Sequence, residues 1–101
     1  LPLPAQLTGD GELFMLQVRG ESMIEAGIMD GDYLVVRSQP TAEAGEIVVA
    51  GIPGDEATVK TWRPGRDTIV LEPANPAFSP IELTPDEVHL YGRVVTVLRR
   101  M

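Results

Sequence analysis

Glycine and proline interrupt this chain at 19 of its 101 positions, which leaves little uninterrupted length for long helices. Val, Ile and Thr supply another 24 residues, branched at Cβ and suited to a pleated surface. Together they predict a mainly β domain of short strands joined by tight turns, with at most one short helical turn. Asp30-Gly31 precedes a strand over 32–37. Pro53-Gly54-Asp55 separates strands over 46–52 and 56–62, and Arg63-Pro64-Gly65 precedes another over 67–71. A strand over 13–19 leads into residues 22–26, where a helical turn would open on Ser22 as N-cap and close before Gly27. The proline-rich residues 72–80 read as a loop, and residues 88–99 are long enough for a bent or two-part strand.

Length and charge bound the function. Residues 1–101 suffice for one core and one domain. Fifteen acidic against eight basic residues give a formal charge of −7, so the attraction that drives general binding to nucleic acid or anionic membranes is missing. With no cysteine and one histidine, thiolate zinc, iron–sulfur, multi-histidine and cysteine-nucleophile chemistry are excluded, and no cofactor is expected. The longest apolar stretch, over 47–52, is too short to span a membrane. The chain starts at Leu1 and not at a methionine, which predicts that a segment upstream has been removed.

A hydrolytic nucleophile in this chain would be Ser or Thr, with His, Lys or a carboxylate as its base. Gly20-Glu21-Ser22-Met23 places a serine just after a strand and at the start of a helical turn. Backbone N–H groups are unpaired there and suit an oxyanion. The same position also suits a serine that only caps the turn. Lys60 is the only lysine, and strand alternation puts Thr58, Lys60 and Trp62 on one face. Packed beside Trp62 and deprived of water, it would lose pKa and become a base; at a strand edge it would merely snorkel to solvent.

Five blocks carry a resemblance. Phe14-Met15-Leu16-Gln17-Val18-Arg19-Gly20-Glu21-Ser22-Met23 and Ile28-Met29-Asp30-Gly31-Asp32-Tyr33-Leu34-Val35-Val36 are followed by Glu46-Ile47-Val48-Val49-Ala50, Glu56-Ala57-Thr58-Val59-Lys60 and Leu71-Glu72-Pro73-Ala74-Asn75-Pro76. In this order they resemble the self-cleaving SOS repressors of the LexA type, whose relatives include UmuD and the lambdoid phage repressors. The resemblance runs through the whole chain. It implies a fold of several short, strongly bent antiparallel sheets. It also implies Ser22 as nucleophile and Lys60 as general base of a Ser-Lys dyad, and backbone N–H groups of Ser22 and Glu21 for the oxyanion, with Thr58 orienting the lysine. Keeping a free lysine neutral at pH 7 costs about 4–5 kcal/mol, so the site must exclude water when substrate docks.

By the same resemblance, the domain cuts its own chain at an Ala-Gly bond upstream of Leu1 when stimulated by a RecA filament on single-stranded DNA. It would touch DNA only through a missing amino-terminal domain, act in the bacterial cytoplasm without a membrane, and form a homodimer through Tyr91, Val94, Val95, Thr96, Val97 and Leu98. Ala26-Gly27, Ala44-Gly45 and Ala50-Gly51 repeat the dipeptide by chance, after the serine or inside turns and strands. His89 reads as a half-buried strand residue, and Asp30, Asp32, Asp55 and Glu56 as solvated turn formers and not a metal site. Residues 91–98, apolar on both faces, are either core or a pairing edge.

Type I signal peptidases share the dyad and fold, but carry a proline where this chain has Glu25, together with membrane anchors. A domain that serves only for dimerisation, with Ser22 and Lys60 as structural residues, is the non-enzymatic alternative.

Overall fold

Each apolar run bounded by turn residues becomes a strand. The computed structural model describes residues 11–101, in which β1 (Leu13–Gln17), β2 (Tyr33–Ser38), β3 (Ile47–Ile52), β4 (Glu56–Pro64), β5 (Ile69–Glu72), β6 (Ile81–Leu83) and β7 (His89–Leu98) follow in order. All pairings are antiparallel. The mainly β expectation holds, and the strands join into one sheet of order β1-β2-β7-β3-β4-β5-β6. Two single 3-10 turns, Ile24–Ala26 and Pro85–Glu87, accompany them, one more than expected. The first has Met23 at its N-cap with no side-chain bond, so Ser22 does not cap it, and it ends on Gly27 at φ 81°. The strand β6 is an addition to the sequence reading.

The sheet is packed on both faces at its centre. Val48 and Ala50 enter one cluster with Trp62, Ile69, Leu71 and Leu83, while Val49 between them enters the other with Met23, Ile28, Leu34 and Val36. Alternate residues of β3 thus serve two cores, which is why it reads as an unbroken apolar run and not as an alternating one.

The last strand lies between β2 and β3, so residues far apart in sequence close the sheet. Against β2 the register steps between Val35 and Val36, leaving Val95 as an extra residue of β7; against β3 it steps between Val49 and Ala50, leaving Tyr91 extra. These two bulges increase local twist and explain how a ten-residue strand serves two neighbours. The expected pairing edge is therefore corrected at Gly92 and Arg93, which have a partner on each side, while His89 and Leu90 pair with β3 alone. Beyond Arg93, among the described strands, β7 pairs only with β2, and its outer residues Val97 and Leu98 are exposed.

The end of β7 is tied back to the turn before β2. Arg99 Nε and Nη2 donate to Asp32 Oδ1 and Oδ2 at 2.8 Å each, Nη2 also reaches the Gly27 carbonyl at 2.8 Å, and the Met29 N–H donates to Asp32 Oδ2 at 2.7 Å. Asp32 is 2% exposed, so the expectation of a solvated turn former is overturned: a forked guanidinium and a backbone donor replace the water its carboxylate would otherwise need. The Arg99 bonds, followed by that from Met29, hold the Asp32 pKa down at about 2. Because the folded value lies below the ordinary 3.8, this stabilisation is complete above that value and disappears as pH falls through about 2. Replacing Arg99 by leucine should lower Tm by several degrees at pH 6, and thermal melts should show the gap to wild type closing between pH 4 and pH 2. A gap independent of pH over that range would contradict the assignment.

Candidate active site

The serine segment is held from three directions. After β1, Val18 N–H donates to Asp32 O at 2.8 Å and Gly31 N–H donates to Val18 O at 2.9 Å, which carries the pairing one step past the strand. Gly20 then turns the chain at φ 88°, a left-handed conformation favoured by glycine, while its N–H donates to Asp30 Oδ1 at 2.7 Å. Met23, just beyond the serine, is buried in the core with Ile28. Between the glycine turn and this apolar plug, Glu21 and Ser22 are braced by the loop at 73–80: Ala74 N–H donates to Ser22 O and Asn75 Nδ2 to Glu21 O, both at 2.8 Å.

Lys60 comes from β4, opposite Val48 of β3. Its Nζ stands 3.1 Å from Ser22 Oγ and 2.6 Å from Thr58 Oγ1. The lysine is 7% exposed, so it does not snorkel to solvent. Burial pushes its pKa below the ordinary 10.5, while the charge of Glu56 pulls the other way. A neutral amine has two N–H groups and one lone pair. With one N–H donated to Thr58 Oγ1, the lone pair is available to accept the Ser22 hydroxyl proton.

Serine and lysine open on a cleft of about 490 Å³ whose walls include Leu16, Val18, Met23, Val49 and Val59, with the half-exposed Phe78 at its rim. Glu21 lines it too, and among the described residues the N–H groups of Glu21 and Ser22 have no acceptor. The residues singled out as a dyad, an orienting threonine and two backbone donors are therefore brought together.

Other expectations come out differently. Trp62 does not line the cleft and belongs to the core cluster of Val48 and Ala50; the apolar wall beside Lys60 comes from β1, β3 and β4. His89 is exposed and packs edge-on against Tyr91 at 4.5 Å, on a different cavity from the serine. The Ala-Gly dipeptides agree with their reading as chance repeats: Ala50-Gly51 is locked in β3 between two paired strands, and Ala26-Gly27 closes a 3-10 turn. Asn75 and Phe78 were missed. Neither is a nucleophile or base type, and only the tertiary fold brings Asn75 back to Glu21 across 54 positions.

Among the described residues no helix is long and apolar enough to cross a membrane. Residues 1–95 match the model of the Peptidase S24-like family. The chain is 57% identical over 100 residues to a LexA repressor of Nocardioides sp., covering 99% of this chain and 39% of the relative. It is 55% identical over 101 residues to the LexA repressor of Acidothermus cellulolyticus, covering 100% and 36%, and 54% identical over 100 residues to that of Corynebacterium efficiens, covering 99% and 42%. It thus spans about two fifths of the length of these curated relatives. Matched over nearly its whole length, with extensive identity to curated members, the chain belongs to the Peptidase S24-like family.

Proposed function

We propose that residues 1–101 are the self-cleaving peptidase and dimerisation domain of a LexA-type SOS repressor, acting in the bacterial cytoplasm through a Ser22–Lys60 dyad. The observation that carries this reading is a buried lysine amine 3.1 Å from a serine hydroxyl at the floor of an open cleft. Neutral Lys60 takes the Ser22 proton as Oγ attacks the carbonyl carbon of an Ala-Gly bond upstream in the same protein. The oxyanion forms at the Ser22 and Glu21 N–H groups. Lys60 then gives its proton to the departing amine, leaving an ester on Ser22. Water, deprotonated by Lys60, hydrolyses that ester and frees the serine.

Stimulation by a RecA filament fits a site whose base is activated by excluding water: a partner that favours docking of the cleavage segment also favours neutral Lys60. Dimerisation through Tyr91 and residues 94–98 is supported by the strand side that 94–98 leave without a partner among the described residues, and by exposed Tyr91, Val97 and Leu98. DNA contact is assigned to the part of the longer protein outside this chain, in keeping with the charge of −7.

If the dyad is preformed, the chain will cut a Ser22→Ala variant of the full-length protein between molecules. Loss of tethering should slow the reaction by about 10² or more relative to self-cleavage, and make it depend on substrate concentration. The expected product at alkaline pH is one cut at the upstream Ala-Gly bond. No cut at high chain concentration, while the intact wild-type protein cleaves itself under the same conditions, would contradict a preformed site.

A further inference from the structure

Asn75 makes a bond that the serine–lysine pair does not account for. Its Nδ2 donates to the Glu21 carbonyl at 2.8 Å, while its Oδ1 accepts the Ala77 N–H at 2.9 Å and its own carbonyl accepts the Phe78 N–H at 3.0 Å. The second and third bonds fold the loop upon itself; the first reaches the residue before the serine. All peptide bonds among the described residues are trans, so the C=O of Glu21 and the N–H of Ser22, which share one peptide plane, point in opposite directions. Turning the Glu21 carbonyl toward Asn75 therefore turns the Ser22 N–H away from it. Among the described residues that N–H has no acceptor. The Ala74 N–H, 2.8 Å from the Ser22 carbonyl, fixes the next peptide plane from the same loop, so two consecutive planes are clamped from outside the serine segment.

We propose that Asn75 is a positioning residue for acyl transfer: its amide clamps the Glu21–Ser22 peptide so that the Ser22 N–H is preset for the oxyanion. The inference rests on reading Ser22 as the nucleophile. A donor held in place before reaction needs no reorganisation when charge develops, which is the basis of such stabilisation.

The two ends of the Asn75 amide separate this role from simple loop support. Asn75→Ala removes both side-chain bonds without adding charge. Asn75→Asp retains an acceptor for Ala77 N–H and loses the donor to Glu21. The chain is labelled with a fluorophosphonate, whose phosphoryl oxygen occupies the oxyanion position, across pH 6 to 11, and Tm is measured for each variant.

Both variants should lower the plateau labelling rate by roughly tenfold to a hundredfold, less than the loss of an oxyanion donor itself. Asn75→Ala should leave the pH midpoint set by Lys60 where it is in wild type. A plateau unchanged in either variant would overturn the proposal. So would a shifted midpoint in Asn75→Ala, or loss of the fold in both variants, because Asn75 would then act on Lys60 or on the fold. Wild-type chain labelled no faster than Ser22→Ala is a different failure: it removes the nucleophile reading, and the positioning role with it.

Discussion

Lys60→Arg should keep the fold at a lower melting temperature, since its charge cannot be shed on burial, and lose peptidase activity by about 10² to 10⁴, the range expected for removing a general base. Arginine keeps the charge and stem of lysine, but its guanidinium stays protonated at any working pH and has no lone pair for the Ser22 proton. The pH dependence follows from the same group. Burial lowers the Lys60 pKa, so the neutral fraction rises with pH up to the folded-state value and levels off there, below 10.5. Wild-type self-cleavage should therefore slow about tenfold for each pH unit below that midpoint. The linked stability has the opposite sense to a paired lysine: the unfolded chain binds the proton more tightly, so Lys60 destabilises the fold at neutral pH and ceases to do so as pH approaches 10.5. Cleavage rates from pH 6 to 11 check the claim, and an active Lys60→Arg protein at neutral pH would remove Lys60 as the base.

The largest effect on stability from a small change is expected at Gly92. A Cβ there would sit 2.2 Å from the Arg37 carbonyl oxygen and 2.9 Å from Val36 Cγ1. The nearer obstacle is backbone of a paired strand, so a side-chain rotation cannot relieve it. Gly92 faces Ser38 of β2 on one side and Val49 of β3 on the other, and moving it strains both ladders. Gly92→Ala should cost about 3 kcal/mol, at the upper end of overpacking penalties. In a domain of this size that lowers Tm by roughly 10–20 °C. Thermal unfolding followed by circular dichroism measures it; a melting temperature within a degree or two of wild type would show that β7 has room to shift.

Gly92 also marks where sequence reading stops. Six of the seven strands are visible as apolar or β-branched runs between turn residues, because those features act within a few positions. The insertion of β7 between β2 and β3 depends on pairing partners 38 to 65 positions away, and no local period encodes it. Its two bulges arise only once both neighbours are present. Asp32 shows the same limit: beside Gly31 it looks like an exposed turn residue, and only the return of Arg99 from the end of β7 turns it into a buried ion-paired carboxylate.

The proposed dyad is more legible than its supports. A lone lysine on a strand and a serine after a glycine turn point to each other once the blocks around them are read together. Thr58 lies two positions from Lys60 on the same strand face, close enough for alternation to find it. Asn75 has no such cue, and Trp62 was misplaced for a physical reason: sharing a strand face with Lys60 says nothing about which cluster covers each residue once the sheet twists.

The most direct test of the account is to map the site at which a fluorophosphonate labels the chain, by mass spectrometry, at a series of pH values. The account predicts one adduct on Ser22, forming faster as pH rises to a plateau whose midpoint lies below 10.5, and absent in both Ser22→Ala and Lys60→Arg. An adduct on Ser38 or Ser79 in place of Ser22, or labelling of Ser22 at the wild-type rate in Lys60→Arg, would contradict it.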